Sequence, residues 1–276
     1  LQSNFFDNHN FEISAISKLI DEVRDKILFE NKSLDRTRIK ILHITNFNER
    51  FNGRLHYNTG RRFNNGFIRN GHNVLSISDR DILHNNKSIN DFKGYTSLQD
   101  KIIDSFSNFN PNIIILGHAD RVSIDTLERI KNLNKNVKIC QWFLDPLIKT
   151  GPDYLKNKNR ILSLENFIDA SFLTTDPKAL NFKIKNSYYI PNPSDISFEF
   201  LDNSKNKKKK DLFFAMSHGV HRGVLKRGKR DEREVFIEKL KKLTPNIKYD
   251  LYGMNDNQPI WADNFINKIS QSKMGL

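Results

Sequence analysis

The chain has 276 residues, with 45 Lys plus Arg against 32 Asp plus Glu, a formal charge of +13 with histidines neutral. Its 37% apolar and 11% aromatic residues, including 21 Phe, suffice for a core, so disorder driven by low hydrophobicity is excluded and the length suits about two domains. No stretch approaches the roughly 18 to 20 apolar residues of a membrane span, the start lacks the order of a signal peptide, and the lone Cys140, set in an apolar run, excludes a disulfide scaffold. These features read as a soluble globular protein of the cytoplasm. The basic excess is spread along the chain with abundant Asn, Ile, Phe and Lys, as AT-rich coding produces; a nucleic-acid or membrane-surface partner is the other reading. A start at Leu1 and an apolar run beginning at Met274 read as a fragment.

From Phe11 to Phe29 apolar residues recur at helical spacing, which predicts an amphipathic lead-in helix within residues 1–35. A strand is expected at Ile39–Phe47, a helix near Gly60–Asn70 closed by Gly71, and a second strand at Asn73–Ser78. Then come a helix at Leu98–Phe109, a strand at Ile113–Leu116, and a helix from Ser123 to Leu133 with Ser123 as N-cap. A fourth strand at Val137–Leu144, a helix at Ile161–Ile168, a strand at Ala170–Thr175 and an extended edge piece at Tyr188–Pro193 complete the first series. Short strands alternating with helices predict a parallel sheet with crossover helices over residues 36–195.

Residues 196–210, with the run Lys205–Lys210, read as a solvated linker, or else as a nucleic-acid patch. A second alternation follows over 211–276: a strand at Leu212–Met216, a helix at Asp231–Leu243, a strand at Tyr249–Tyr252 and a helix at Phe265–Ile269, ending before a sheet could close. The fold class expected is therefore α/β, with two Rossmann-like, doubly wound parallel-sheet domains, the second incomplete.

In an open parallel sheet ligands bind at the carboxyl ends of the strands, next to helix N-termini. The first strand end has a single glycine, Gly53, among Asn46, Asn48 and Asn52, and so lacks the dinucleotide fingerprint. The third offers His118 and Asp120, suited to general-base work or to a ligand hydroxyl, or else a histidine capping a helix. The fourth offers Asp145, whose Asp-Pro context reads as a turn or as a catalytic acid. Before the helix at Asp231 lies Ser217–Arg230, where Gly219, Gly223 and Gly228 alternate with Arg222, Arg227 and Lys229. Glycines let a backbone approach a diphosphate and the cations neutralise it; a solvated loop is the plain alternative. Eight His without an H-x-x-x-H or H-E-x-x-H spacing give no metal site.

The phrases KILHITNF, GHNV, QWFLDP, FLTTDP and YYIPNPSD, and above all the closing LYGMNDNQPIWADNFINKISQSKMGL, resemble bacterial GT-B glycosyltransferases of the group 1 kind, in the branch related to the CgeB spore-maturation proteins. The resemblance runs from about Lys40 to the end. It implies two facing domains, a nucleoside diphosphate sugar held mainly by the second and an acceptor (glycan, lipid or protein) mainly by the first. By position it implies that Gly219, Arg222, Arg227 and Lys229 meet the donor diphosphate in place of a divalent metal, and that Tyr252, Gly253, Pro259 and Trp261 lie near the base. It also implies that Asn52, Gly53 and Asp145 border the cleft, with His118 or Asp120 as base. No metal, no other cofactor and no specific nucleic acid are expected, and peripheral membrane contact is compatible with the reading. The acidic residues that usually grip the donor's ribose and sugar would lie past Leu276. The alternative of another class is a non-catalytic polyanion-binding protein using Lys205–Lys210 and the Arg222–Arg230 loop; a signalling α/β domain lacks a paired-acid pocket.

Overall fold

The computed structural model describes residues 38–151, 153–199, 205–216, 232–254 and 257–276. The lead-in helix within residues 1–35 and the basic glycine loop lie outside these. The chain divides into two compact units: residues 62–193 with the segment up to Asn46, and residues 47–61 with the segment from Ser194 onward.

In the first unit six strands form one parallel sheet in the order β2-β1-β3-β4-β5-β6. They are β1 (Lys40–Thr45), β2 (Asn73–Ser78), β3 (Ile113–Gly117), β4 (Lys138–Phe143), β5 (Ala170–Leu173) and β6 (Ser187–Tyr189). The β-branched runs become strands because both sheet faces are buried, so that apolar side chains are favourable at every position. Leu42, Ile44, Ile114, Leu116 and Ile139 point to one face, beneath α2 (Asp79–Asn85), α3 (Tyr95–Phe109) and α4 (Ile124–Leu133). Ile41, Ile113, Ile115, Cys140 and Trp142 point to the other, where Phe63 and Phe67 of α1 (Thr59–Arg69) pack. A third cluster joins Phe143, Leu147 and Leu173 to Ile161 of α5 (Tyr154–Leu162).

Trp142 ties the central strands together. Its residue pairs with Gly117 in the β3–β4 register, and a Cβ on Gly117 would lie 2.0 Å from the indole ring. The indole N–H donates to His43 Nε2 of β1 at 3.2 Å. Because that nitrogen accepts, the proton of a neutral His43 sits on Nδ1, which donates to Asn64 Oδ1 at 3.2 Å. Asn64 Oδ1 also accepts from Ser76 Oγ of β2 at 2.7 Å.

In the second unit β7 (Lys210–Ala215) lies between β8 (Tyr249–Tyr252) and β9 (Ser272–Gly275), all parallel. On one face Leu212, Phe214 and Leu251 pack on the fully buried Ile237 of α7 (Glu232–Leu243). On the other, Phe213 meets Phe265 of α8 (Ala262–Ile269) edge-on at 5.3 Å. The segment 47–61 joins this unit through Tyr57, which rests on Phe198 at 4.8 Å and donates its hydroxyl to Asp263 at 2.7 Å.

The α/β class with two parallel sheets is as expected, and five local features differ from expectation. A helix expected at Ile161–Ile168 runs instead from Tyr154 to Leu162, and Glu165–Phe167 is a 3-10 turn leading into β5. Short α2 was unforeseen, and α3 starts earlier, at Tyr95, because the Asp91 carboxylate accepts from the backbone N–H of Tyr95 and Ser97. The chain's last residues make a third strand of the second sheet: Leu276 N–H donates to Phe213 O at 3.0 Å. Within the expected linker, Ile196–Glu199 is a helical turn with Phe198 buried, while Lys205–Lys209 are exposed.

Gly117→Ala is expected to destabilise the first unit by about 1–3 kcal/mol, the usual cost of overpacking. Trp142→Leu should relieve part of it. Urea unfolding of both single variants and the double variant checks this: full additivity would show that the indole is not what Gly117 accommodates.

Candidate functional site

In a sheet of this order the crevice opens between β1 and β3, where successive connections leave in opposite directions. The residues gathered at that edge belong to the ends of β2, β3 and β4 and to α5.

After Gly117 the chain turns through His118, whose φ of 50° is left-handed. Gln99 of α3 secures this loop: its amide nitrogen donates to Arg121 O at 2.9 Å, and its oxygen accepts from Ser123 N at 3.0 Å. Ser123 then caps α4, accepting from Thr126 N at 3.1 Å, as the sequence predicts. The turn lays the His118 ring flat on Phe143, centroids 4.5 Å apart and planes 5° apart. Nε2 accepts from Leu144 N–H at 3.0 Å, and Nδ1 faces Asp145 Oδ2 at 3.6 Å. Burial pushes the imidazole down to about 4, with the Arg160 and Arg80 charges acting the same way and Asp145 opposing. At neutral pH His118 is therefore uncharged, with its proton on Nδ1.

Asp120 Oδ1 accepts from Arg80 Nη2 at 2.8 Å and forms an ion pair with Arg160 Nη2, also at 2.8 Å. Arg121 Nε lies 3.7 Å from the other oxygen. Burial alone would raise its pKa, but the Arg80 hydrogen bond and the three guanidinium charges hold it below the usual carboxylate range. Arg160 also donates to His118 O at 3.1 Å and approaches Asp145 at 3.9 Å. Beside these groups is a cavity of about 360 Å³, lined among others by His118, Asp120, Gln141, Lys156 and Arg160.

The structure thus brings His118, Asp120 and Asp145 together. A general base needs an available lone pair. The Nε2 lone pair of His118 is taken by the Leu144 amide, and Asp120 is neutralised by two arginines. Both contact Arg160.

At the second sheet Tyr252 and Gly253 end β8 beside β7, where Met216 N–H donates to Tyr252 O at 3.0 Å. Gly253 has φ 74°, and a Cβ there would stand 1.7 Å from Met216 O, so the turn itself requires glycine. The Tyr252 ring lies 5.9 Å from Lys268 Nζ. Pro259 is buried, and half-buried Trp261 precedes α8 with its indole nitrogen enclosed and without a partner among the described residues. Asn52 (φ 51°) and Gly53 (φ 81°) are exposed left-handed residues closing the 3-10 turn Glu49–Phe51. Gly219, Arg222, Arg227 and Lys229 lie outside the described residues. Cys140 is buried and burial pushes its thiol up to about 12, which makes it inert. Among the described residues no group of three or more His, Cys, Asp or Glu side chains could hold a metal ion, and no helix is long and apolar enough to cross a membrane.

Sequence reasoning missed Arg80, Arg160 and Lys156. Arg80 was within reach, since it follows a predicted strand end directly. The other two sit on a helix placed too far along the chain, so their shared face was invisible.

No family model matches the chain. It is similar to one component of the ATP-dependent helicase/nuclease of Clostridium botulinum (strain Alaska E43 / Type E3), 28% identical over 125 residues, which is 45% of this chain and 9% of that protein. The chain thus spans less than a tenth of the length of that curated relative. Among solved structures it is similar to an alpha-glucosyltransferase (AGT) in complex with UDP, at 13% identity and TM-score 0.43, covering 86% of this chain and 72% of that one. It is also similar to SsfS6, a Streptomyces sp. SF2575 glycosyltransferase, at 10% identity and TM-score 0.36, covering 78% and 67%. A Clostridium difficile 630 protein described as a transcriptional regulator matches at 12% identity and TM-score 0.31, covering 85% and 56%. Likenesses this distant assign no function.

Two buried groups respond to acid in opposite senses. His118, depressed to about 4, favours the folded state fully above its ordinary value near 6.5, and that contribution is lost as pH falls toward 4. Asp79 at the end of β2 does the reverse: burial raises it to about 6, so its contribution is complete below the ordinary carboxylate value and lost as pH rises through 6. The two oppose each other between about 4 and 6. Asp79→Asn should gain stability relative to the unaltered chain by roughly 2–3 kcal/mol as pH goes from 4 to 7. His118→Asn, which tolerates the left-handed backbone, should lose relative stability over the same range. Denaturant titrations across pH check both, and parallel curves would refute the assignment.

Proposed function

We propose that the chain is, or belongs to, a GT-B-type glycosyltransferase that moves a sugar from a nucleoside diphosphate sugar to an acceptor hydroxyl. One observation carries the reading. In the second unit the central strand β7 ends at Ala215 and α7 begins at Glu232, so the segment holding Gly219, Arg222, Arg227 and Lys229 connects the carboxyl end of the middle strand to a helix N-terminus. That connection is where parallel sheets hold anions. The terminal block from Leu251 onward, with Tyr252, Gly253, Pro259 and Trp261, supports the same assignment through its resemblance to this family.

In this reading the cations of the basic segment take the charge that develops on the leaving diphosphate, which lowers the barrier by stabilising the transition state without a metal. The acceptor, a glycan, lipid or protein, is served by the first unit, where Asp145 remains a proposed bordering residue; Asn52 and Gly53, proposed for the same role, lie on the segment 47–61 of the second unit. With His118 and Asp120 committed to Arg160, the chemistry relies on charge stabilisation of the leaving group. The site of action is cytoplasmic.

Titration calorimetry of this chain with UDP, GDP and UDP-glucose tests the donor assignment. One nucleotide should bind, and Arg227→Ala should weaken it about 10- to 100-fold, the effect of one charge-assisted hydrogen bond. Binding of none of them, together with affinity for duplex or single-stranded nucleic acid that falls steeply with salt, would replace this reading by polyanion binding.

A further inference from the structure

We propose that the cavity at the carboxyl ends of β3 and β4 binds a phosphate group carried by the acceptor substrate. The inference rests on the transferase reading and names the acceptor's chemistry. Four polar residues spaced at one helical face, Lys156, Asn159, Arg160 and Ser163, line the cavity from α5 and its C-cap. A helix of a sheet protein ordinarily turns apolar residues toward the interior. Here only Ile161 and Asn157 of α5 are buried, and the polar face is kept for the cavity.

The charges there are not balanced. Arg80 and Arg160 share a single carboxylate oxygen of Asp120, and the Nε of each is enclosed without an acceptor among the described residues. Lys156 forms no ion pair among the described residues, and His118 is neutral. Asp145 is half exposed and meets Arg160 only at 3.9 Å. Asp120 holds the guanidinium in place; of the charged side chains that line the cavity of about 360 Å³, Lys156 and Arg160 are cations and Asp120 is the anion, a surplus of one positive charge. That volume lies within the roughly 300–1,000 Å³ of small-ligand sites, enough for a phosphate and an attached sugar ring. A planar guanidinium beside a mobile ammonium is the pairing that recognises phosphate oxygens, the first by geometry and the second by charge.

Inorganic phosphate, glucose 6-phosphate and glucose, titrated separately into the full chain, test the proposal, with amide NMR shifts locating the site and UDP titrated in parallel. Glucose 6-phosphate should bind more tightly than phosphate, glucose should not bind, and the shifts should centre on Lys156, Arg160 and Ser163. Lys156→Glu, an exposed substitution that leaves the core intact, should weaken both anions tenfold or more without changing UDP affinity. Unchanged anion affinity in Lys156→Glu overturns the site. Phosphate binding as tightly as its sugar ester overturns the acceptor and leaves an inorganic anion site. UDP binding without phosphate binding defeats this inference alone; phosphate binding without any nucleotide binding defeats the donor reading and leaves the cavity as an oxyanion site.

Discussion

The contact between Trp142 and Gly117 governs the first unit. An indole can lie across a neighbouring strand only where that strand offers no Cβ, so β3 ends in glycine and β4 presents its largest side chain at the same register position. The indole N–H then has a partner in His43 of β1, and His43 in turn fixes Asn64 of α1 and, through it, Ser76 of β2. Its buried members Trp142, His43 and Asn64 are all hydrogen-bonded, which is the condition under which buried polar groups specify one arrangement. The strand ends from which the functional loops depart are thereby held at fixed positions.

Above that layer the chemistry is one of unequal charge. Burying a protonated imidazole between Arg80 and Arg160 would add a third cation to a partly dehydrated region, so His118 gives up its proton and keeps its hydrogen bonds instead. Asp120, surrounded by guanidiniums, stays ionised for the opposite reason. Both groups are thus engaged, the imidazole by the Leu144 amide and the carboxylate by the arginines.

What was legible in the sequence follows the same physics. The strands were plain because a sheet buried on both faces makes unbroken β-branched runs, and Ile113–Leu116 could hardly be anything else. Ser123 was plain because its cap is a local matter. Helix α5 was not, since the face that lines the cavity is written in Lys, Asn, Arg and Ser, which removes the amphipathic signal. The apolar residues Leu164, Phe167 and Ile168 drew the expected helix along the chain, although they only close a turn before β5. Asp79 and Arg80 went unnoticed because α2 has seven residues and no periodicity to announce it. The segment 217–230 is read from composition and spacing alone.

The two sheets repeat one plan. The order β8-β7-β9 is the order β2-β1-β3, so in each unit the first strand is central among its three and its outgoing loop opens at the reversal point. The first such loop is rich in Asn and left-handed turns, and the second is basic and rich in Gly. His118 shows what such a loop must also absorb. A non-glycine residue at φ 50° costs on the order of 1 kcal/mol. That strain is offset by the Phe143 stack, the Leu144 hydrogen bond and the carbonyl turned toward Arg160. A histidine held in an unfavourable backbone so that its carbonyl can orient an arginine is a stronger mark of a binding site than its imidazole would be by itself.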